Sequence, residues 1–309
     1  MSGDYDATHY GLAISSVLIA VTGIGSNSLS LSYFIAQLGS TAVPQVRKNC
    51  TTSRLFMVLN VFDLLLCVYS TLMIIIWVEV LDLGFTTVFK CFCVVYQVLL
   101  INLTSFITCV MAVIRATDLL FPFDGKRGRR TATYVSIFVY SILTFSLAAL
   151  EMLHVSERKL SNDVTQVVLS LIAANMTGIF VIIIISNMIC MIKLYFSASQ
   201  RIAHETRHAT VTVGILSLIY CLCNAGFIYD RVSYATTLVL PGHIHSIVFH
   251  SILLPLNSAC NPVVYFTRKA DMRLHLTKLW RKTKKSLCSG GTHTEQIDEY
   301  TASVLVTKQ

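Results

Sequence analysis

Residues 55–77 read LFMVLNVFDLLLCVYSTLMIIIW, an apolar run whose one charged residue is Asp63. At ~1.5 Å per residue a helix of this length covers the ~30 Å hydrocarbon core of a bilayer. The run has none of the short in–out alternation of an outer-membrane strand, which leaves a helix as the way to satisfy its backbone in lipid. The stretch is therefore read as a membrane-crossing helix that carries a charge into the bilayer.

Working outward, apolar segments of similar character cover 10–36, 55–81, 88–114, 132–153, 164–196, 209–230 and 244–266. The expected fold is an all-α membrane protein, a seven-transmembrane helix bundle. Composition agrees: 54% of the 309 residues are hydrophobic and 13% charged, about half the charge a soluble surface carries, with a mean hydropathy of +0.67. The first segment follows Met1-Ser-Gly-Asp-Tyr-Asp, which has no basic leader, so it is read as a retained helix rather than a signal peptide. The expected division is an extracellular N-terminus over 1–9, the bundle over 10–266, an amphipathic helix over 267–285 and a disordered tail over 286–309.

The net charge of +8 is sorted by side. With the amino terminus outside, 20 of the 24 Lys and Arg residues fall on the cytoplasmic side, leaving Lys90, Arg158, Lys159 and Arg231 outside. This satisfies the positive-inside rule, and the reverse topology violates it. Eight acids against those four bases give the outer face a net −4. The basic surplus thus belongs to an inner surface facing anionic lipid, and nucleic acid is not an expected partner.

A charge inside a bilayer costs at least ~2.5 kcal/mol on insertion scales, so it needs partners. Asp63 lies nine residues from Arg54, roughly 13 Å inward. Thr104 and Asn257 are each eleven residues inward from Arg115 and Arg268, roughly 16 Å. Asn257 and Asn261 share a helix face with Ser258 beside them. Two readings stand: an oxygen-rich site for a small hard cation and water, or hydrogen bonds that hold helices together with Asp63 protonated. Asn27, Asn60, Asn102, Asn175, Asn187 and Asn224 are read as interhelical hydrogen-bonding residues. The sequons at Asn49, Asn102 and Asn175 fall on the cytoplasmic side or in spans, and none is expected to be glycosylated.

Leu256 to Tyr265 reads LNSACNPVVY and closely resembles the seventh-helix signature of rhodopsin-like (class A) G-protein-coupled receptors. Gly25-Ser26-Asn27 is similar to the family's first-helix Gly-x-Asn, and Leu59 to Asp63 to its second-helix Leu-x-x-x-Asp. Arg115, followed seven residues later by Pro122, matches the family's spacing from third-helix Arg to second-loop Pro. Arg268 to Lys285 is basic with Met272, Leu274, Leu276, Leu279 and Trp280 interleaved, like the family's short helix on the inner leaflet. Cys288 is a lipidation candidate, with a free thiol as the other reading.

The resemblance, over residues 10 to about 288, implies a divergent receptor at the plasma membrane. It implies that Asp63, Thr104, Asn257, Ser258 and Asn261 form a sodium and water site, with no other cofactor. It assigns activation-switch roles to Arg115, Asn224, Gly226, Pro262 and Tyr265. A heterotrimeric G protein, and arrestin as a further candidate, are the implied cytoplasmic partners.

The departures matter too. Ile114 replaces the family's acid before the Arg and Ala116 its following Tyr, so Arg115 is expected to lack its usual adjacent counter-ion. Asn224 stands at the family's aromatic switch and Gly226 at its proline kink. The fourth helix has no Trp and the fifth no Pro. Cys91 and Cys93 have no cysteine over 154–166 to receive them, and two free thiols are expected.

Gln97 stands where amine receptors carry Asp, and Pro255 where opsins carry the retinal Lys, which argues against an amine ligand and against light. The expected pocket is drawn from Tyr96, Gln97, Glu151, Tyr229, His245 and Phe249. With about ten residues before the first span, small peptides, lipids or small chemosensory molecules are the expected extracellular ligand classes. The alternative reading is a seven-helix protein that does not activate G proteins, serving as a decoy, a chaperone or an arrestin-biased receptor. A transporter would need a through-going polar path, and no enzyme motif is found.

Overall fold

A computed structural model describes residues 3–39, 50–79, 87–121, 126–157, 162–196, 204–237 and 252–288. Phe121 and Lys269 apart, every described residue is helical. The helices are α1 (Gly3–Gly39), α2 (Cys50–Glu79), α3 (Thr87–Leu120), α4 (Lys126–Glu157), α5 (Asn162–Phe196), α6 (His204–Thr237), α7 (Leu254–Arg268) and α8 (Ala270–Cys288). A wider turn at Ile252 and Leu253 leads into α7.

Five of these helices hold stretches long and apolar enough to cross a membrane: Gly11–Gln37, Ser53–Leu72, Leu99–Leu120, Gln166–Phe196 and Arg207–Tyr229. A shorter apolar run, Thr131–Ser146, lies in α4, and α7 as described has 15 residues. The architecture is that of a multi-pass membrane protein. The first helix begins at Gly3, earlier than the apolar segment alone indicates.

Neighbouring helices pack around a closed circuit, α1 on α2 and onward to α7, which returns to α1. The third helix is central, touching α2, α4, α5 and α6. Large apolar side chains cover the outside of the bundle, and polar side chains are buried beside its apolar core. Leu18, Phe138, Phe145, Met191, Leu218 and Leu222 are exposed, whereas Asn27, Asn60, Asp63, Ser105 and Ser258 are fully buried. Lipid removes the incentive to hide apolar side chains, so polar contacts and small residues gather between helices.

Hydroxyls cost the helices little because they bond back along them. Thr22 donates to Leu18 O at 2.7 Å, Thr71 to Cys67 O at 2.9 Å and Thr108 to Thr104 O at 2.9 Å. Where α1 meets α2 and α7, Gly23 leaves no room for a side chain. A Cβ there would stand 2.5 Å from Cys67 Sγ and 3.2 Å from Ala259 Cβ.

From Lys269 onward the described residues belong to a separate unit. Within it, α8 carries Asp271 in its first turn, which suits the positive end of the helix dipole. Arg273, Lys278, Arg281, Lys282 and Lys284 follow among Leu274, Leu279 and Trp280. The tail beyond Cys288 lies outside the described residues, as do residues 1 and 2 and the side chains of the rest of the 1–9 segment.

Candidate functional site

Helix α7 contains Pro262. Proline has no N–H, so the carbonyl four residues earlier, that of Ser258, loses its helical donor. Asn27 on α1 supplies one. Its Nδ2 donates to Ser258 O at 3.1 Å and to Gly23 O of its own helix at 2.9 Å. Sequence dictates this joint: the proline opens the carbonyl, and the close approach at Gly23 brings the asparagine within reach.

One turn along α7 from Asn257, Asn261 donates from Nδ2 to Asp63 Oδ2 at 2.7 Å. Asp63 is 0% exposed, and the side chain of Ser258 lies within electrostatic reach of its carboxylate. Asp63 Oδ1, Ser258 Oγ and Asn257 Oδ1 are buried without a hydrogen-bond partner on the protein. Thr104 is buried, and its hydroxyl donates to Leu100 O of its own helix. Asp63, Ser258 and Asn261 are thus brought together. Thr104 and Asn257 are buried, but no hydrogen bond joins either to Asp63 among the described residues.

The donor set fits a hard cation. It comprises one carboxylate with spare hydroxyl and amide oxygens, the ligand type such ions prefer. Among the described residues no three His, Cys, Asp or Glu side chains cluster, so the surroundings do not offer the imidazole and thiolate ligands of a transition-metal site. Leu66, Leu100, Ile101, Met176, Phe227 and Leu254 form a buried apolar cluster within the bundle.

Toward the Arg115 end, Tyr265 is fully buried and pinned by rings from two other helices. Its centroid lies 4.9 Å from that of Phe56 on α2 and 5.7 Å from that of Phe34 on α1, both edge-on. Its hydroxyl has no hydrogen-bond partner on the protein.

Arg115 is mostly buried near the end of α3, where its guanidinium stands 3.6 Å from the Asp118 carboxylate. Ile114 does replace the adjacent acid, but one helical turn later the chain supplies another. Arg115 thus has no adjacent acid, as expected, and pairs instead with one a turn away on its own helix.

Asn224 is buried and donates to Tyr220 O of its own helix at 2.9 Å. At Gly226 a Cβ would meet nothing within 4 Å, and the same holds at Gly25. In the first helix the steric demand therefore falls on Gly23, two residues before the glycine of the Gly-x-Asn triplet. Asn60 and Asn187 also bond their own helices, to Phe56 O at 2.7 Å and Ile183 O at 2.8 Å. Asn60, Asn187 and Asn224 thus differ from the interhelical role expected of them. Asn102 and Asn175 bond each other across α3 and α5.

Of the expected pocket, Tyr96 is partly buried and its ring is tilted against Tyr69 at 5.6 Å. Tyr229 is 71% exposed. The side chains of Gln97, Glu151, His245 and Phe249 lie outside the described residues, as do those of Cys91, Cys93 and Cys288. Cys67, Cys109, Cys190, Cys221, Cys223 and Cys260 are free thiols.

No protein-family model matches the chain, and no curated protein matches it either.

Proposed function

We propose that the chain is an atypical rhodopsin-like receptor that passes the binding of an extracellular ligand to a heterotrimeric G protein. In this reading α1–α7 are its seven membrane helices and α8 its amphipathic inner-leaflet helix, with the amino terminus outside the plasma membrane. The observation that carries the reading is the joint of α1, α2 and α7. There Asn27 takes the carbonyl freed by Pro262 while Asn261, one residue before that proline, holds Asp63. A conformational change that moves α7 must break both bonds, so the joint can be biased by whatever binds on either side.

Asp63, Ser258 and Asn261 would hold a sodium ion, with Asn257 and Thr104 as further oxygen donors, and the ion would supply positive charge to a buried carboxylate. The departures at Arg115 concern strength rather than presence of restraint, since Asp118 provides a counter-ion on the same helix.

The test is thermal unfolding of the purified full-length protein in sodium and in N-methylglucamine buffers. The wild type is expected to melt higher in sodium, and Asp63→Asn to lose that difference. A sodium-dependent shift that persisted undiminished in Asp63→Asn would place the ion elsewhere. Signalling is tested by a ligand screen read as nucleotide exchange on a panel of G proteins. Agonist binding without exchange on any of them would favour the decoy, chaperone or arrestin-biased reading, which Ile114, Ala116 and Asn224 motivate. Substrate flux in reconstituted vesicles would favour a transporter.

A further inference from the structure

Helix α8 carries six Lys and Arg residues against one acid, Asp271. At 3.6 residues per turn, Met272, Leu276, Leu279 and Trp280 fall on one stripe roughly 100° wide. Arg273, Lys278, Arg281, Lys282 and Lys284, all exposed, take up the rest of the circumference together with Leu274. One polar side chain stands inside the stripe. Thr283, one turn beyond Leu279 and two beyond Leu276, lies near its centre. It is exposed, and its hydroxyl donates to Leu279 O at 3.1 Å.

The chain around it reads Arg281-Lys282-Thr283-Lys284-Lys285. A hydroxyl at that place adds little to lipid contact. Two bases on either side suit it to a serine/threonine kinase whose acidic cleft selects basic flanks. Thr277, also exposed, differs in position: it lies on the basic arc, with its hydroxyl on Arg273 O at 2.9 Å. A charge added there stays in water.

We propose that Thr283 is a phosphorylation site whose modification releases α8 from the inner leaflet. The inference rests on the reading of α8 as a helix lying on that leaflet. In the modification Thr283 Oγ1 gives up its bond to Leu279 O and attacks the γ-phosphorus of ATP. The new O–P bond forms as the bond to the β-phosphate oxygen breaks, ADP leaves, and the hydroxyl proton passes to the base of the kinase. The phosphate adds a charge of about −1.5 to −2. Set in the apolar stripe, that charge must either enter lipid or lift the stripe out, and it offsets part of the basic charge that holds α8 to anionic headgroups. Lipid shields Thr283 while α8 lies flat, so the kinase captures the detached helix and keeps it detached.

The test uses the full-length protein in nanodiscs of brominated lipid, in a Trp77→Phe background that leaves Trp280 as its one tryptophan. The soluble catalytic domain of a kinase with basic-flank specificity is added with Mg-ATP. Phosphate is located by mass spectrometry while quenching of Trp280 fluorescence is followed. Phosphate is expected on Thr283, more slowly in anionic than in zwitterionic nanodiscs, and quenching in anionic nanodiscs is expected to fall at least about twofold once it is on. Thr283→Glu is expected to lose quenching, whereas Thr277→Glu, with the same change in net charge, keeps it. Quenching that persists with Thr283 phosphorylated, or equal losses in the two Glu variants, overturns the switch and leaves the inner-leaflet reading standing. Absence of quenching in the unmodified protein overturns that reading and the switch with it. No phosphate on Thr283, whatever else is labelled, overturns the site.

Discussion

Asp118 shows how a single side chain alters the expected balance at the end of α3. Its carboxylate is 3.6 Å from Arg115 and 35% exposed, a loose pair partly screened by solvent and worth up to about 1 kcal/mol. On the receptor reading, this pair restrains Arg115 on its own helix. Asp118→Asn is therefore expected to raise basal nucleotide exchange, by no more than about fivefold given that energy. Basal exchange that stayed level or fell in membranes with matched expression would argue against the pair as a restraint. The acid was legible in principle, because i,i+3 neighbours face each other on any helix, but the resemblance concerns only the adjacent position, which Ile114 fills. Asp63 was legible by another route. It is the one acid deep in a span, at a depth that matches Thr104 and Asn257; of the oxygen-rich cluster expected around it, Asn261 and Ser258 lie beside it.

At the scale of the element, Pro262 and Asn27 act as one device split between two helices. Asn27→Ala leaves the Ser258 carbonyl buried without its donor, a loss of about 1–3 kcal/mol. Pro262→Ala restores an N–H at 262 that can reach the same carbonyl. The damage done by Asn27→Ala is thus expected to be smaller in a Pro262→Ala background, a non-additivity measurable as melting temperatures of the two single variants and the double. Strict additivity would mean that the freed carbonyl is not what Asn27 serves. This coupling could not be read from spacing, since it runs from a side chain to a backbone atom on a helix 231 residues away. That Asn102 and Asn175 bond between helices was legible, but not that they bond each other. Which asparagine faces another helix depends on how α4 and α5 are rotated, and a continuously apolar segment fixes its depth in the membrane but not its rotation.

For the whole molecule, apolar length and charge asymmetry made the helices and their membrane setting legible, because both follow from the cost of burying backbone and charge in lipid. The outer ends of the helices were less so. Their expected pocket was assembled from residue type and depth alone, and Tyr229 is exposed. Orientation is open to direct measurement. With 20 of 24 basic residues assigned to one side, an epitope appended after Gln309 is expected to be reached by antibody in intact cells only after permeabilisation, and one placed before Met1 without it. The opposite pattern would reverse the topology and with it the receptor reading.

The ring cluster around Tyr265 has a consequence for populations. Each of its two edge-on contacts, with Phe34 and Phe56, is worth ~0.5–1.5 kcal/mol beyond the area it covers. Swinging Tyr265 free of both thus forfeits about 1–3 kcal/mol on top of the burial of its ring, which lowers the fraction of molecules in the freed arrangement by about fivefold to 150-fold. That fraction is set by side chains of α1 and α2 rather than by α7, so changes at Phe34 or Phe56 would alter how often the seventh helix samples its other arrangement without touching it.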